Sequence, residues 1–303
     1  AIARAVIDAY VRENSIGDNQ TPHVQTSVAD APLRVTVALR ARPASHFAAF
    51  GLSVADIAVQ AIATIAGRPN ICVLALEARE ASAISLESDA RLTGNNCAVF
   101  SNSAASMGIA VRDRARLKAS TVCSAGGVSG RGSIAPDAYT DCPQFDDPLA
   151  SRPEPQAARC DHLLMIVVAQ VRTLKPGVYC GGLTISGLSR VTFEPGVYVI
   201  KNGPFTVTGL SEISGDGVGF FLSGVAFFVF DPLTKINLSA PRDGLLAGLL
   251  FFGSRTQSTL LVNTILSNGA QVMNGTIYLP RTLFVADSLA QIGAQSAYTA
   301  IVA

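Results

Sequence analysis

Six cysteines are the residues of this 303-residue chain whose type and spacing bear most directly on chemistry. They are Cys72, Cys97, Cys123, Cys142, Cys160 and Cys180, an even set confined to the middle third. Zinc sites are built from CxxC pairs or from Cys with clustered His. The chain has no CxxC, and its three His stand apart at 23, 46 and 162. The spacing favours covalent pairing over free thiols: Cys72 to Cys97 is 25 residues and Cys97 to Cys123 is 26.

Carboxylates are the second class. Asp141, Asp146 and Asp147 are the densest acidic cluster, and Asp oxygens are hard ligands suited to Ca²⁺. Asp161 beside His162 has the make-up of a general base, but no nucleophile accompanies it, and a surface pair is expected. From Lys201 onward only ten charged residues occur. Most of those acids sit beside Gly or Pro, where Asp closes a turn through its own side chain. The phosphate-cradling GxGxxG and P-loop patterns are absent, as is the GxSxG nucleophile turn. The expectation is therefore no catalytic, cofactor-binding or metal site, no cofactor, and no enzyme.

Aromatic side chains are the third. Tyr179 and Tyr198 recur in a PGVY phrase, and Phe220, Phe221, Phe227, Phe228 and Phe230 cluster. They suit either a carbohydrate-binding face or, as the stronger expectation, a stacked ladder inside a core.

The elements that must position these residues are repetitive. Ile84 maps onto Ile109 and Leu92 onto Leu117, and ARLTG at 90–94 returns as ARLKA at 115–119. A repeat of about 25 residues with three short alternating segments is the signature of a parallel β-helix, whose coils bury their apolar faces only by stacking. Farther on, LKPGVYC at 174–180 is echoed by FEPGVYVI at 193–200, and LTISGLS at 183–189 by FTVTGLS at 205–211. Strand-like runs follow at Val218–Leu222, Phe227–Phe230, Lys235–Leu238, Leu249–Phe252, Leu260–Asn263, Gln271–Met273, Thr276–Leu279 and Leu283–Val285. A β-sandwich offers the same strand spacing, so the repeats decide for the mainly β, solenoid reading. Stacked coils place equivalent residues about 4.8 Å apart, inside the Cα separation a disulfide allows. Cys72 with Cys97 fits that geometry, and Cys97 with Cys123 competes. Of the 15 connectivities open to six cysteines, pairing in sequence order is the simplest.

Composition sets the outer bounds. The chain is 49% hydrophobic and 15% charged, with a net charge of +1. This excludes disorder and leaves no field to gather nucleic acid. Mean hydropathy is +0.37, yet the longest uncharged apolar run considered, Gly217 to Phe230, has 14 residues, too short for a spanning helix. Residues 1–69 read differently. Ile2, Val6, Ile7 and Tyr10 fall at helical spacing, LRVTVALRAR at 33–42 alternates as a half-exposed strand, and 53–67 leans to strand. One helix packed on a short antiparallel sheet is the plan of a pilin-like α+β segment. The expected division is 1–69 and a β-helix over 70–303. A loop insertion at about 124–173, tied by disulfides and holding five Pro between 136 and 155, interrupts the second part. LLMIVVAQV at 163–171 then re-enters as a strand or short helix.

Several phrases together resemble the TadG-like proteins of the tight-adherence (Flp) pilus assembly system. They are ICVLALEA at 71–78, CAVFSNSAAS at 97–106, DDPLASRPEP at 146–155, LKPGVYCGGLTISG at 174–187, SAPRDGLLAGLLFFGSR at 239–255 and NGTIYLPRTLF at 274–284. The resemblance covers about 70–285 and keeps the family's order. It implies a structural, non-enzymatic protein of the bacterial envelope, with its bulk in the periplasm, where disulfides persist. It also implies anchorage in the inner membrane through a helix of which Ala1 marks a cut end, and partners among pilus or pilus-assembly subunits. Some relatives carry a von Willebrand A-type domain, but no DxSxS metal motif occurs here, so metal-dependent adhesion is not carried over. Asn102-Ser103 and Ala240-Pro241 read as turn and packing residues. The rival expectations are a glycan-binding adhesin module, which requires exposed aromatic ladders, and a polysaccharide-acting β-helix enzyme, which requires carboxylates converging on one coil face.

Overall fold

The structure, a computed structural model, describes residues 23–30, 33–41, 57–64, 70–156 and 159–303. The chain forms two units, Ala1–Pro69 and Asn70–Ala303. In the first, β1 (His23–Asp30), β2 (Leu33–Ala41) and β3 (Ile57–Thr64) make an antiparallel sheet in that order. The helix expected near residues 1–14 lies outside the described residues.

The second unit is a parallel β-solenoid of about 10 turns. Its first stretch coils three times: β4 (Ile71–Ala75), β5 (Ile84–Leu86) and β6 (Arg91–Thr93); β7 (Ala98–Ser101), β8 (Ile109–Val111) and β9 (Arg116–Lys118); β10 (Thr121–Ser124), β11 (Val128–Ser129) and β12 (Ile134–Ala135). The sequence repeat is the coil. Ile84 pairs with Ile109 and Leu92 with Leu117 in register, and the inward members form a closed apolar cluster.

The second stretch winds through β13 (His162–Val168), β14 (Val171–Leu174), β15 (Gly177–Ser186), β16 (Arg190–Phe193), β17 (Gly196–Lys201), β18 (Phe205–Val207) and β19 (Glu212–Gly215). It continues through β20 (Val218–Ser223), β21 (Phe228–Phe230), β22 (Lys235–Ser239), β23 (Leu249–Gly253), β24 (Val262–Ile265), β25 (Gly269–Tyr278), β26 (Leu283–Ala286) and β27 (Thr299–Val302). The two strands expected at 271–273 and 276–279 are one strand, β25, running through Gly275 at φ 139°, a conformation that favours glycine. β24 lies two residues beyond the expected run. The PGVY phrases do not stack as equivalents: Tyr198 pairs with Gly177, and Tyr179 with Ile200. Leu174 and Phe193 stack in register at an offset of 19, while Leu183 and Phe205 stack at 22. The added residues fall between them, so the tyrosines slip.

The order of stacking departs from the expected simple insertion. The first coils do not precede β13. β4 instead pairs with the last strand, through Ile301 to Val73 and Val302 to Leu74. One continuous sheet therefore runs β15, β17, β20, β23, β25, β27, β4, β7, β10. The chain enters the solenoid in the middle and coils outward to β12. It then crosses to the far end and winds back to finish beside its own start. We call 70–135 the short arm and 162–303 the long arm. Among the described strands, only this sheet is continuous across the join.

One column of inward side chains unites the arms: Tyr198, Phe220, Phe251, Ile277, Ile301, Val73, Val99 and Val122. The aromatic rungs are in contact, with centroids 5.3 Å apart for Tyr198–Phe220 and 5.2 Å for Phe220–Phe251. Phe205, Phe228 and Phe230 are fully buried beside them.

Candidate functional site

The outward side of the continuous sheet is also apolar. Val199, Phe221, Phe252, Tyr278, Val302, Leu74, Phe100 and Cys123 stack in register across both arms, and all are buried. Outward residues of a solenoid normally meet water. The crossing segment between the arms, a strap described over 136–156 and 159–161, covers them through Cys142, Phe145 and Leu149, together with Leu246 and Leu249.

Disulfides anchor the strap at both ends. Cys123–Cys142 holds it to the short arm and Cys160–Cys180 to the long arm, with Cα separations of 6.2 and 5.6 Å. Cys72–Cys97 staples neighbouring coils, 5.5 Å between Cα atoms. Gly94 lies against that bridge, where a Cβ would stand 2.7 Å from the Cys72 sulfur. The six cysteines thus join in sequence order, and no described cysteine is free. Eight strand steps of about 4.8 Å separate the strap's anchors, roughly 38 Å. Its 18-residue span reaches about 60 Å when extended, which leaves room for the turn over 148–151.

Between the anchors the strap is clasped by side chains. Asn102 donates through Nδ2 to the Phe145 carbonyl and accepts the Phe145 amide at Oδ1, both at 2.8 Å. The Phe145 ring packs edge-on against Phe100 at 4.5 Å. Asp147 accepts the Tyr278 hydroxyl at 2.6 Å and the Leu149 amide at 2.9 Å. Glu154 accepts the Arg255 amide and the Ser254 hydroxyl, at 2.8 and 2.9 Å. The Arg255 guanidinium donates to the Leu149 carbonyl and lies 5.1 Å from the Phe252 centroid and 5.4 Å from that of Tyr278. Arg152 donates to the Ala247 carbonyl at 2.7 Å.

These contacts reassign several residues. Asn102 is the strap's clasp rather than a turn residue, because its amide supplies both a donor and an acceptor to one backbone unit. Asp147 is committed to Tyr278, so it does not combine with Asp141 and Asp146 into a cation site. Among the described residues no group of three or more His, Cys, Asp or Glu is placed to hold a metal. Asp161 accepts the Val178 amide at 2.8 Å, and His162 stacks on Tyr179 at 4.5 Å, so the two have separate structural tasks. Phe221 is not in the lumen with Phe220 but lies beneath the strap, where it touches Phe252.

Three further acids are ion-paired. Glu87 pairs with Arg112 and Asp89 with Arg114. Glu212 lies between Arg190 and Lys235. The hydrogen bond from Arg114 holds the Asp89 carboxyl below its usual range, and Lys235 does the same for Glu212. Burial pushes the Tyr179 phenol up to about 12 and raises Tyr198 as well. At Tyr278 burial acts first and the Asp147 carboxylate adds to it.

Sequence reasoning missed Phe145, Glu154, Arg255 and Tyr278, whose partners lie up to 131 residues away. The single available signal was the density of Pro and Asp in 141–155, in a segment otherwise bordered by cysteines. No family model, no curated protein and no solved structure matches the chain. Among the described residues no helix is long and apolar enough to cross a membrane.

Proposed function

We propose that this chain is a non-enzymatic structural component of a tight-adherence (Flp) pilus assembly machine, TadG-like, and works in the periplasm through contacts with other pilus or assembly subunits. The observation that carries the reading is the strap: two disulfides and a row of side-chain clasps are spent on making two solenoid arms one rigid body. A scaffold needs that rigidity. Three disulfides suit an oxidising compartment. The ordered phrases from 71 to 284 supply the family resemblance.

The rival readings gain less support. The outward aromatic ladder is buried beneath the strap, so it offers no stacking platform, and Glu87, Asp89, Asp147, Glu154, Asp161 and Glu212 are engaged in ion pairs or hydrogen bonds. Deleting the gene in its bacterial host is expected to abolish pilus filaments in electron micrographs and surface adhesion, with both restored by the reintroduced chain. Undiminished piliation in the deletion strain would overturn the proposal.

A further inference from the structure

The third face of the solenoid carries charge in two opposite patterns. On the long arm, Arg190, Glu212 and Lys235 occupy one outward column in register. Their signs alternate, and Glu212 meets both neighbours, at 3.4 and 2.9 Å. On the short arm the corresponding face pairs Arg91 with Arg116 and Thr93 with Lys118. All four side chains are exposed, and neither column contains an acid. Like charges directly opposite on neighbouring strands cost stability.

None of the nearby acids among the described residues is ion-paired with these cations. Glu87 is bonded to Arg112. Asp89 is held in a two-point bond by Arg114, both contacts at 2.7 Å, although it also feels the field of Arg91. Asp113 accepts the Ser88 amide. Arg116 donates to the Ser133 hydroxyl at 2.6 Å and the Ala115 carbonyl at 3.2 Å. Among the described residues, Arg91, Arg116 and Lys118 form no ion pair.

We propose that this face binds a linear acidic polysaccharide, with carboxylates on successive sugars lying along the solenoid axis. Guanidinium groups present a planar fork that matches a carboxylate, and coil stacking repeats that fork every 4.8 Å or so. Thr93, Ser133 and Lys118 flank it with further donors for sugar hydroxyls. The intervening Leu117 is buried and Leu92 half-buried, so the face has no apolar wedge for a lipid surface. It also has no aromatic platform for nucleic acid bases. The site rests on the charge geometry alone and does not depend on the pilus reading.

Affinity electrophoresis of the full chain through gels containing polygalacturonate, with neutral dextran as reference, tests it. The polyuronate is expected to retard the protein, and retardation is expected to fall as NaCl rises from about 50 to about 500 mM, as counterion release and screening require. Arg91→Glu/Arg116→Glu is expected to reduce retardation about tenfold or more, since it reverses both forks facing the carboxylates. Arg190→Glu/Lys235→Glu changes net charge equally, at the alternating column, and is expected to leave retardation unchanged. No retardation beyond dextran, or equal loss in the two double variants, would overturn the site. Stronger capture by phosphatidylglycerol vesicles or by oligothymidylate would overturn the ligand class. Thermal melting of each variant checks that it is folded.

Discussion

The Tyr278 hydroxyl donates a 2.6 Å hydrogen bond to Asp147 across 131 residues of sequence. The bond joins the middle of the strap to a rung of the outward ladder near the join between the arms. It is therefore a measure of whether the strap is seated. Tyr278→Phe keeps the buried ring and removes only the donor, leaving Asp147 with the Leu149 amide. A loss of about 1–3 kcal/mol in urea unfolding is expected. Phe252→Ala, which empties a fully buried rung, is expected to cost about 3–5 kcal/mol. If Tyr278→Phe proved the more damaging, the ladder would not be the main source of stability.

The covalent anchors make a separate prediction. Peptide mapping without reductant should recover Cys72–Cys97, Cys123–Cys142 and Cys160–Cys180, and a Cys97–Cys123 link would contradict the stacking. Cys160→Ser/Cys180→Ser opens a loop of 20 residues, and a loss of about 3 kcal/mol is expected. Trypsin should then cut the strap at Arg159, which is exposed, faster than in the parent protein.

The join between the arms is the place where cooperativity should fail first. Ile301 faces the lumen between Ile277 and Val73. Ile301 is half-buried, so Ile301→Asp puts a carboxylate against the apolar column with little water and no partner, which is destabilising. Hydrogen exchange is expected to show amides of β4–β12 losing protection before those of β15–β22. Simultaneous loss in both arms would mean that the strap alone keeps them coupled.

Alkaline pH should unfold the protein in a tyrosine-dependent way. The Tyr179 phenol ionises at about 12 in the folded chain, against about 10 when unfolded. Between those values the unfolded state releases the proton and the folded state does not. Stability is thus fully present below pH 10 and falls as pH rises toward 12. Tyr179→Phe is expected to flatten that decline in thermal melts between pH 9 and 12, leaving the residual slope to Tyr198 and Tyr278. An unchanged slope would assign the alkaline transition to other groups.

Local repetition makes the coil legible in the sequence. Ile84 and Ile109, or Leu92 and Leu117, are both similar in sequence and adjacent in space because parallel stacking sets each coil on an equivalent one. Tyr179 and Tyr198 are both buried with ring centroids 5.9 Å apart, as a core ladder requires, but added residues shift their backbone register although the phrase is repeated. Arm order was hidden for a different reason. Every coil presents the same parallel edges, so nothing in Ile71–Ala75 specifies whether β7 or β27 lies on either side. The strap was hidden because its partners are single residues with no period. Asn102 has the composition of a turn residue and the contacts of a clasp, and only the fold brings Phe145 to it.

The pairing of β27 with β4 also has a mechanical consequence. The two strands are parallel, and Asn70 and Ala303 emerge from opposite ends of them. Tension applied between those residues pulls the strands lengthwise past each other, loading their hydrogen bonds together instead of peeling them one at a time. The solenoid would respond to such a load as a stiff link that yields abruptly, and would not unwind like a spring.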